Sequence, residues 1–294
     1  MDTEASDLLK RRVAAVINTS SGGCDAAAEA KLRAVFDQAG LGQATVTTVT
    51  SDGLEAALKA AIAACDVLVT LGGDGTIRSA AERCGAAGIP LIPLPGGTMN
   101  MLTTALHGSA GWEKALADTL AAPKLRTVSG GKAQGRPFYC VAILGTPTLW
   151  ADAREAVRRG DLVAAVGLSV TAIRRHGANR LSYRLGENLT GTAEAVAVIC
   201  PLVSRSMAKD EQALEAVALD PETAAEAFGL AMHAMMDDWR RDPSVEGAKV
   251  TRVIVTAHGR IPLIMDGEKV KLDRSVTITF EPAAFRAITP ADRD

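Results

Sequence analysis

The string Gly72-Gly73-Asp74-Gly75-Thr76, set directly after the apolar run Val67-Leu68-Val69-Thr70-Leu71, constrains this chain more than any other feature. The run reads as a strand buried on both faces. A glycine pair at its end lets the backbone turn sharply and leaves no side chain in the way of a ligand. A helical pattern follows over about 77–87 and stops at Gly88. Loop amides leading into a helix N-terminus face an anion. Asp74 adds a negative charge at that place. Beside phosphates it implies a cation such as Mg²⁺, held directly or through water, or a role toward an acceptor hydroxyl. The plainer reading is a tight turn with Asp74 capping the helix that follows.

Two further small-residue loops stand in the same relation to strands. Val13 to Ile17 is apolar and runs into Asn18-Thr19-Ser20-Ser21-Gly22-Gly23, and a short strand ending at Leu94 runs into Pro95-Gly96-Gly97-Thr98-Met99-Asn100. Helical patterns lie at about 26–39, 54–65, 101–106 and 112–120, and residues 44–50 are β-rich. Strands alternating with helices of this length imply a parallel sheet wrapped by helices. Loops at the C-terminal ends of parallel strands share one edge, where ligands bind. Thr98 and Asn100 can donate hydrogen bonds to phosphate or ribose there.

Past residue 122 the texture changes. Segments at 125–128, 138–144, 181–185, 193–200, 214–219, 249–256, 261–265 and 276–280 read as strands with few helices between them, which implies a mostly antiparallel second domain. Helical stretches are expected at about 148–176 and from Asp220-Pro221-Glu222 to Trp239. The second carries Phe228, Met232, Met235, Met236 and Trp239 at helical spacing, a face for core packing or for lipid. Arg158, Arg159, Arg174, Arg175 and Arg180 form a basic region, by default a solvated face, that would also attract anionic headgroups.

Composition narrows the function classes. Over 294 residues the net charge is -2 and aromatics make up 3%, which argues against nucleic acid as a partner. Cys24, Cys65, Cys84, Cys140 and Cys200 are scattered without metal spacing and read as reduced thiols of a cytosolic protein. The first twelve residues are polar and end in Lys10-Arg11-Arg12, so no leader is read there, and no apolar run approaches a bilayer span of roughly 20 residues. The four histidines have no metal spacing and receive no role.

Taken together, Leu71-Gly72-Gly73-Asp74-Gly75-Thr76, Pro95-Gly96-Gly97-Thr98-Met99-Asn100, Met265-Asp266-Gly267-Glu268 and Phe280-Glu281-Pro282 resemble the diacylglycerol kinase catalytic-domain family, which includes bacterial lipid kinases, sphingosine kinases and ceramide kinases. The resemblance covers essentially the whole chain. It implies an N-terminal parallel-sheet α/β nucleotide domain, like that of NAD kinase and diacylglycerol kinase, over 1–124 with 281–294 returning to it. It also implies a mostly antiparallel β-sandwich lipid domain over 125–280. By this resemblance Asn18, Ser20, Ser21, Gly22, Thr50, Gly72, Gly73, Gly75, Thr76, Thr98 and Asn100 contact ATP, and Asp74 lies near ATP and Mg²⁺. Glu268 matches the proton acceptor, with Asp266 beside it, and a carboxylate there suits phosphoryl transfer, which needs the attacking hydroxyl oriented or deprotonated. Alone, Asp266-Gly267 would read as a hairpin turn.

The chain departs from the family pattern at Thr19, where proline is usual, and at Arg78-Ser79, where an acid is usual. Asp210-Glu211-Gln212 stands in place of an Asp-Asp-Gly metal loop, leaving Asp210 as a candidate cation ligand or a solvated turn. The expected activity is ATP-dependent phosphorylation of a hydroxyl on diacylglycerol, a sphingoid base, ceramide or a related lipid, at the cytoplasmic face of a membrane. A homo-oligomer is left open. The alternatives are NAD kinase and a non-catalytic lipid- or nucleotide-binding protein of the same fold.

Overall fold

The computed structural model describes residues 3–145, 180–220, 245–271 and 273–291. The expected helices at 148–176 and 221–239, with Arg158, Arg159, Arg174 and Arg175, lie outside the described residues. The chain divides into two compact units, 1–130 with 281–294, and 131–280.

The first unit is built on parallel strands in the order Thr45–Val49, Val13–Asn18, Val67–Gly72, Leu91–Pro95, with Ala287 of the long last strand Ser275–Pro290 paired to Leu91. The two central strands are buried at every position, the reason their sequences are unbroken apolar runs. Val13, Ala15 and Ile17 pack with Leu32 and Phe36 of the helix Ala28–Gln38 and with Trp112 and Leu116 of the helix Trp112–Ala121. The helices Leu54–Ala64 and Asp74–Ala87 pack on each other and on the same strands. Each fully buried leucine or phenylalanine contributes about 2 kcal/mol relative to exposure. Antiparallel to the strands, these helices leave the loops after Asn18, Val49, Gly72 and Pro95 together at one sheet edge.

The second unit is a mixed-order, antiparallel two-sheet structure. One sheet runs Val245–Val250, Leu214–Leu219, Ala195–Ile199, Val141–Gly145, Pro262–Met265, Glu268–Lys271. The other contains Leu189–Ala193, Leu181–Leu185, Arg252–Thr256 and residues 275–280 of the last strand. Leu144, Val196, Val198, Leu214 and Met265 from one sheet meet Tyr183, Leu185, Val253, Val255 and Ile278 from the other in a single core. The α/β class with an antiparallel second half is therefore as expected.

Several boundaries differ from expectation. Residues 249–256 do not form one strand. The chain breaks at Thr251, whose carbonyl accepts Phe280 N–H at 2.8 Å, and the halves Val245–Val250 and Arg252–Thr256 enter different sheets. No glycine or proline marks that change, so β-propensity alone reads through it. The helix expected from 77 begins at Asp74, because Gly73 O already accepts Ile77 N–H at 3.0 Å. A helix Thr3–Leu9, buried through Ala5 and Leu9, occupies a stretch read as merely polar. A strand Leu189–Ala193 also forms ahead of the one expected at 193–200.

Candidate functional site

The glycine loop is short. Gly72 ends its strand, Gly73 is extended, and the 14-residue helix Asp74–Ala87 starts at once with no side-chain cap at its N-terminus. Its first-turn amides at Gly75 and Thr76 therefore have no intrahelical acceptor and are available to an anion. Thr76 is nearly buried and accepts Asn18 Nδ2–H at 2.8 Å, fixing the end of the first strand against this turn. Asn18 also accepts Ser20 N–H through Oδ1 at 3.1 Å, folding the first loop back on itself.

Hydroxyls of the first loop reach both neighbouring loops. Ser20 Oγ accepts Ser51 N–H at 3.1 Å, next to exposed Thr50 at the end of the edge strand. Ser21 Oγ accepts Gly73 N–H at 3.0 Å. Thr19 N–H donates to Val49 O at 2.9 Å, continuing the parallel ladder by one bond. Proline at that position has no N–H, so the departure from the family pattern gains a bond proline cannot make.

The second loop docks on the first two partly through backbone. Gly96 N–H donates to Gly72 O and Gly23 N–H to Gly96 O, each at 2.8 Å. A Cβ on Gly97 would lie 2.7 Å from Gly73 Cα, so only glycine permits this approach. Asn100, left-handed at φ 50°, closes a ring with Gly97: its Oδ1 accepts Gly97 N–H and its Nδ2 donates to Gly97 O, both at 2.8 Å. Thr98 is exposed at the loop tip. Cys24 packs beside Gly96, and burial pushes its thiol up to about 11, so it is a packing group at neutral pH.

Asp74 faces this second loop. Its Oδ2 accepts Asn100 N–H at 2.9 Å and its Oδ1 accepts Met101 N–H at 2.7 Å. It thus caps the helix Met101–His107 rather than its own helix, and these amides offset the charge that had implied a cation. Among the described residues no three His, Cys, Asp or Glu side chains stand together as a metal cage. A nucleotide's phosphates fit the uncapped helix start and its glycines. A magnesium ion would have to ride mainly on phosphate oxygens, as is usual for this hard ion.

The remaining candidates belong to the second unit. Asp266 (φ 47°) and Gly267 (φ 85°) join Pro262–Met265 to Glu268–Lys271, with Met265 paired to Glu268, so both central residues of this two-residue hairpin are left-handed. Asp266 is 6% exposed. Its carboxylate accepts the backbone amides of Tyr139 at 2.7 Å, Cys140 at 2.8 Å and Val141 at 2.9 Å. Glu268, by contrast, is exposed at the start of the second hairpin strand. Asp210 is exposed and its carbonyl accepts Gln212 Nε2–H at 2.9 Å, while the neighbouring Glu211 pairs with Lys249 at 2.8 Å. Arg180 pairs with Asp220 at 2.6 Å.

The loop residues group together in the sequence, but what ties them does not show there. Met101 contributes only its amide, and no side-chain type signals that. Gly97 was legible only as part of a motif; its reason is the approach to Gly73.

A parallel α/β unit with glycine loops at one sheet edge, followed by an antiparallel two-sheet unit, defines the architectural class. Residues 12–133 match the profile of the family described as the diacylglycerol kinase catalytic domain. Solved structures share the fold over nearly the whole chain. A diacylglycerol kinase from Bacillus anthracis str. Sterne aligns at TM-score 0.70 and 15% identity over 95% of this chain and 96% of its own. A second structure from that organism, of a protein provisionally assigned as a diacylglycerol kinase, aligns at TM-score 0.72 and 16% identity over 95% and 97%. No curated protein matches the chain. Among the described residues no helix is long and apolar enough to cross a membrane.

Proposed function

We propose that this chain is a lipid kinase that transfers the γ-phosphoryl group of ATP to a hydroxyl of diacylglycerol or a related lipid, a sphingoid base or ceramide, presented at a membrane surface. The observation that carries the reading is the uncapped start of the helix Asp74–Ala87, set at the end of a buried parallel strand and walled by two loops with glycine backbones. Phosphoryl transfer asks little covalent chemistry of a protein; it needs the phosphates held, the hydroxyl oriented and charge offset. The amides of Gly75 and Thr76 bind phosphate oxygens, with Thr98 at the exposed tip of the second loop. Glu268 accepts the proton of the attacking hydroxyl. Asp266 holds the turn that carries Glu268. Mg²⁺, when bound with ATP, supplies neutralisation of the phosphate charge.

The test is purified protein with Mg-ATP and a panel of diacylglycerol, sphingoid base, ceramide and NAD, with products read by mass. A phosphorylated lipid is expected. Phosphorylated NAD without phosphorylated lipid would establish the NAD kinase alternative instead, and no product with ATP bound would favour a binding protein. Glu268→Gln should keep ATP affinity and lose at least about a hundredfold in kcat, in the usual range for a general base. Unchanged turnover removes Glu268 from the mechanism.

A further inference from the structure

The loops 72–76 and 95–100 are joined by backbone and side-chain hydrogen bonds, and one side chain accepts two of them. Gly96 N–H meets Gly72 O at 2.8 Å, which sets their spacing at the strand ends. Beyond that point the second loop turns through left-handed Asn100 into a helix of seven residues, Met101–His107. Such a short helix has little stability of its own, and its N-terminal amides need acceptors. Asn100 offers none, because its side chain is spent on Gly97. Asp74 supplies both, accepting Asn100 N–H at 2.9 Å and Met101 N–H at 2.7 Å.

The charge makes this bidentate contact strong, since hydrogen bonds to an ionised acceptor are roughly twice as strong as neutral ones. Its geometry also fixes orientation, because two adjacent amides held by two oxygens of one carboxylate cannot rotate independently. Asp74 is the first residue of the helix whose Gly75 and Thr76 amides face the phosphates. The contact therefore sets the register of the second loop, with Thr98 on it, against the first.

We infer that Asp74 is a positioning residue that latches the loop 95–100 to the loop 72–76, so that both present their polar groups to one set of nucleotide phosphates. It does so through the amides of Asn100 and Met101, and neither as a magnesium ligand nor as a base. The inference rests on the nucleotide-binding reading of this edge.

Two substitutions in the full chain test it from opposite sides. Asp74→Asn leaves one acceptor oxygen and puts an NH₂ against the other amide. Gly97→Ala leaves Asp74 intact but drives a Cβ to 2.7 Å from Gly73 Cα, parting the loops by sterics. Amide exchange at Asn100 and Met101 should quicken about tenfold in Asp74→Asn. The KM and Kd for ATP should rise about tenfold in both variants, equivalent to about 1.4 kcal/mol. The kcat should stay within about threefold of wild type, and the Mg²⁺ concentration for half-maximal rate should not move. A tenfold shift in Mg²⁺ requirement confined to Asp74→Asn would make Asp74 a metal ligand and overturn the latch. So would a hundredfold loss of kcat at unchanged KM, or unaltered exchange at Met101. If Asp74→Asn does not fold, normal ATP affinity in Gly97→Ala overturns it alone. If the wild type phosphorylates no lipid, the proposed function fails, while the exchange and ATP-binding measurements still decide the latch.

Discussion

Asn18 donates its Nδ2–H to Thr76 Oγ1 at 2.8 Å, joining the end of the first parallel strand to the first turn of the glycine-loop helix. The two residues are 4% and 5% exposed, so neither polar atom finds water as a substitute partner. Thr76→Val keeps shape but removes the acceptor, and leaves an N–H buried and unpaired. It should lower stability by about 1–3 kcal/mol. Asn18→Leu in the same background should recover part of that loss. Urea unfolding of the two single variants and the double variant measures the coupling, expected at about 1 kcal/mol.

Asp266 is a stability residue in this structure whatever Glu268 does beside it. Its carboxylate accepts three consecutive backbone amides, from Tyr139 to Val141. Asp266→Ala orphans all three and forces alanine into φ 47°, so a loss of about 3–5 kcal/mol is expected. Asp266→Asn tolerates the left-handed conformation and keeps one oxygen, so its cost should be less than half as large. Midpoints of urea unfolding for both variants check the ranking.

Asp74 and Asp266 also mark where sequence stops being informative. The apolar runs 13–17 and 67–71 announced buried parallel strands, because burial on both faces leaves no room for polar alternation. Asp266-Gly267 announced a two-residue hairpin, because both residues accept positive φ. What Asp74 and Asp266 bind was illegible. Their partners are backbone amides, at separations of 26 and 27 residues for Asp74 and 125 to 127 for Asp266. An amide acceptor looks the same in sequence as a metal ligand or a base. The split of 249–256 was hidden for a related reason, since a strand that changes sheets needs no breaker residue when both halves are β-formers.

Gly85 sets helix propensity against packing. It lies inside the helix Asp74–Ala87, where alanine would be preferred by about 1 kcal/mol. A Cβ there would run into the backbone carbonyl of Ala284 and come within 3.4 Å of Phe285 Cβ. A strand carbonyl cannot swing aside as a flexible side chain can, so overpacking should outweigh propensity. Gly85→Ala is expected to destabilise the protein by about 1–2 kcal/mol. An increase in the urea midpoint would mean that helix and strand separate more easily than their packing indicates.

His107 gives the fold a pH dependence with a definite sign. It closes the short helix Met101–His107, and burial pushes its imidazole down to about 4 from an ordinary 6.5. The folded chain therefore holds it neutral where the unfolded chain has already taken up a proton. Above 6.5 both states are neutral and there is no penalty. As pH falls below 6.5 the unfolded state is favoured by up to about 1.4 kcal/mol per unit, until the folded imidazole also titrates near 4. Stability should thus fall across that window in wild type, and fall less steeply in His107→Gln, which stays neutral throughout. Urea unfolding at pH 7.5, 5.5 and 4.5 compares the slopes. Parallel slopes for the two proteins would show that His107 titrates in the folded chain as it does in the unfolded one.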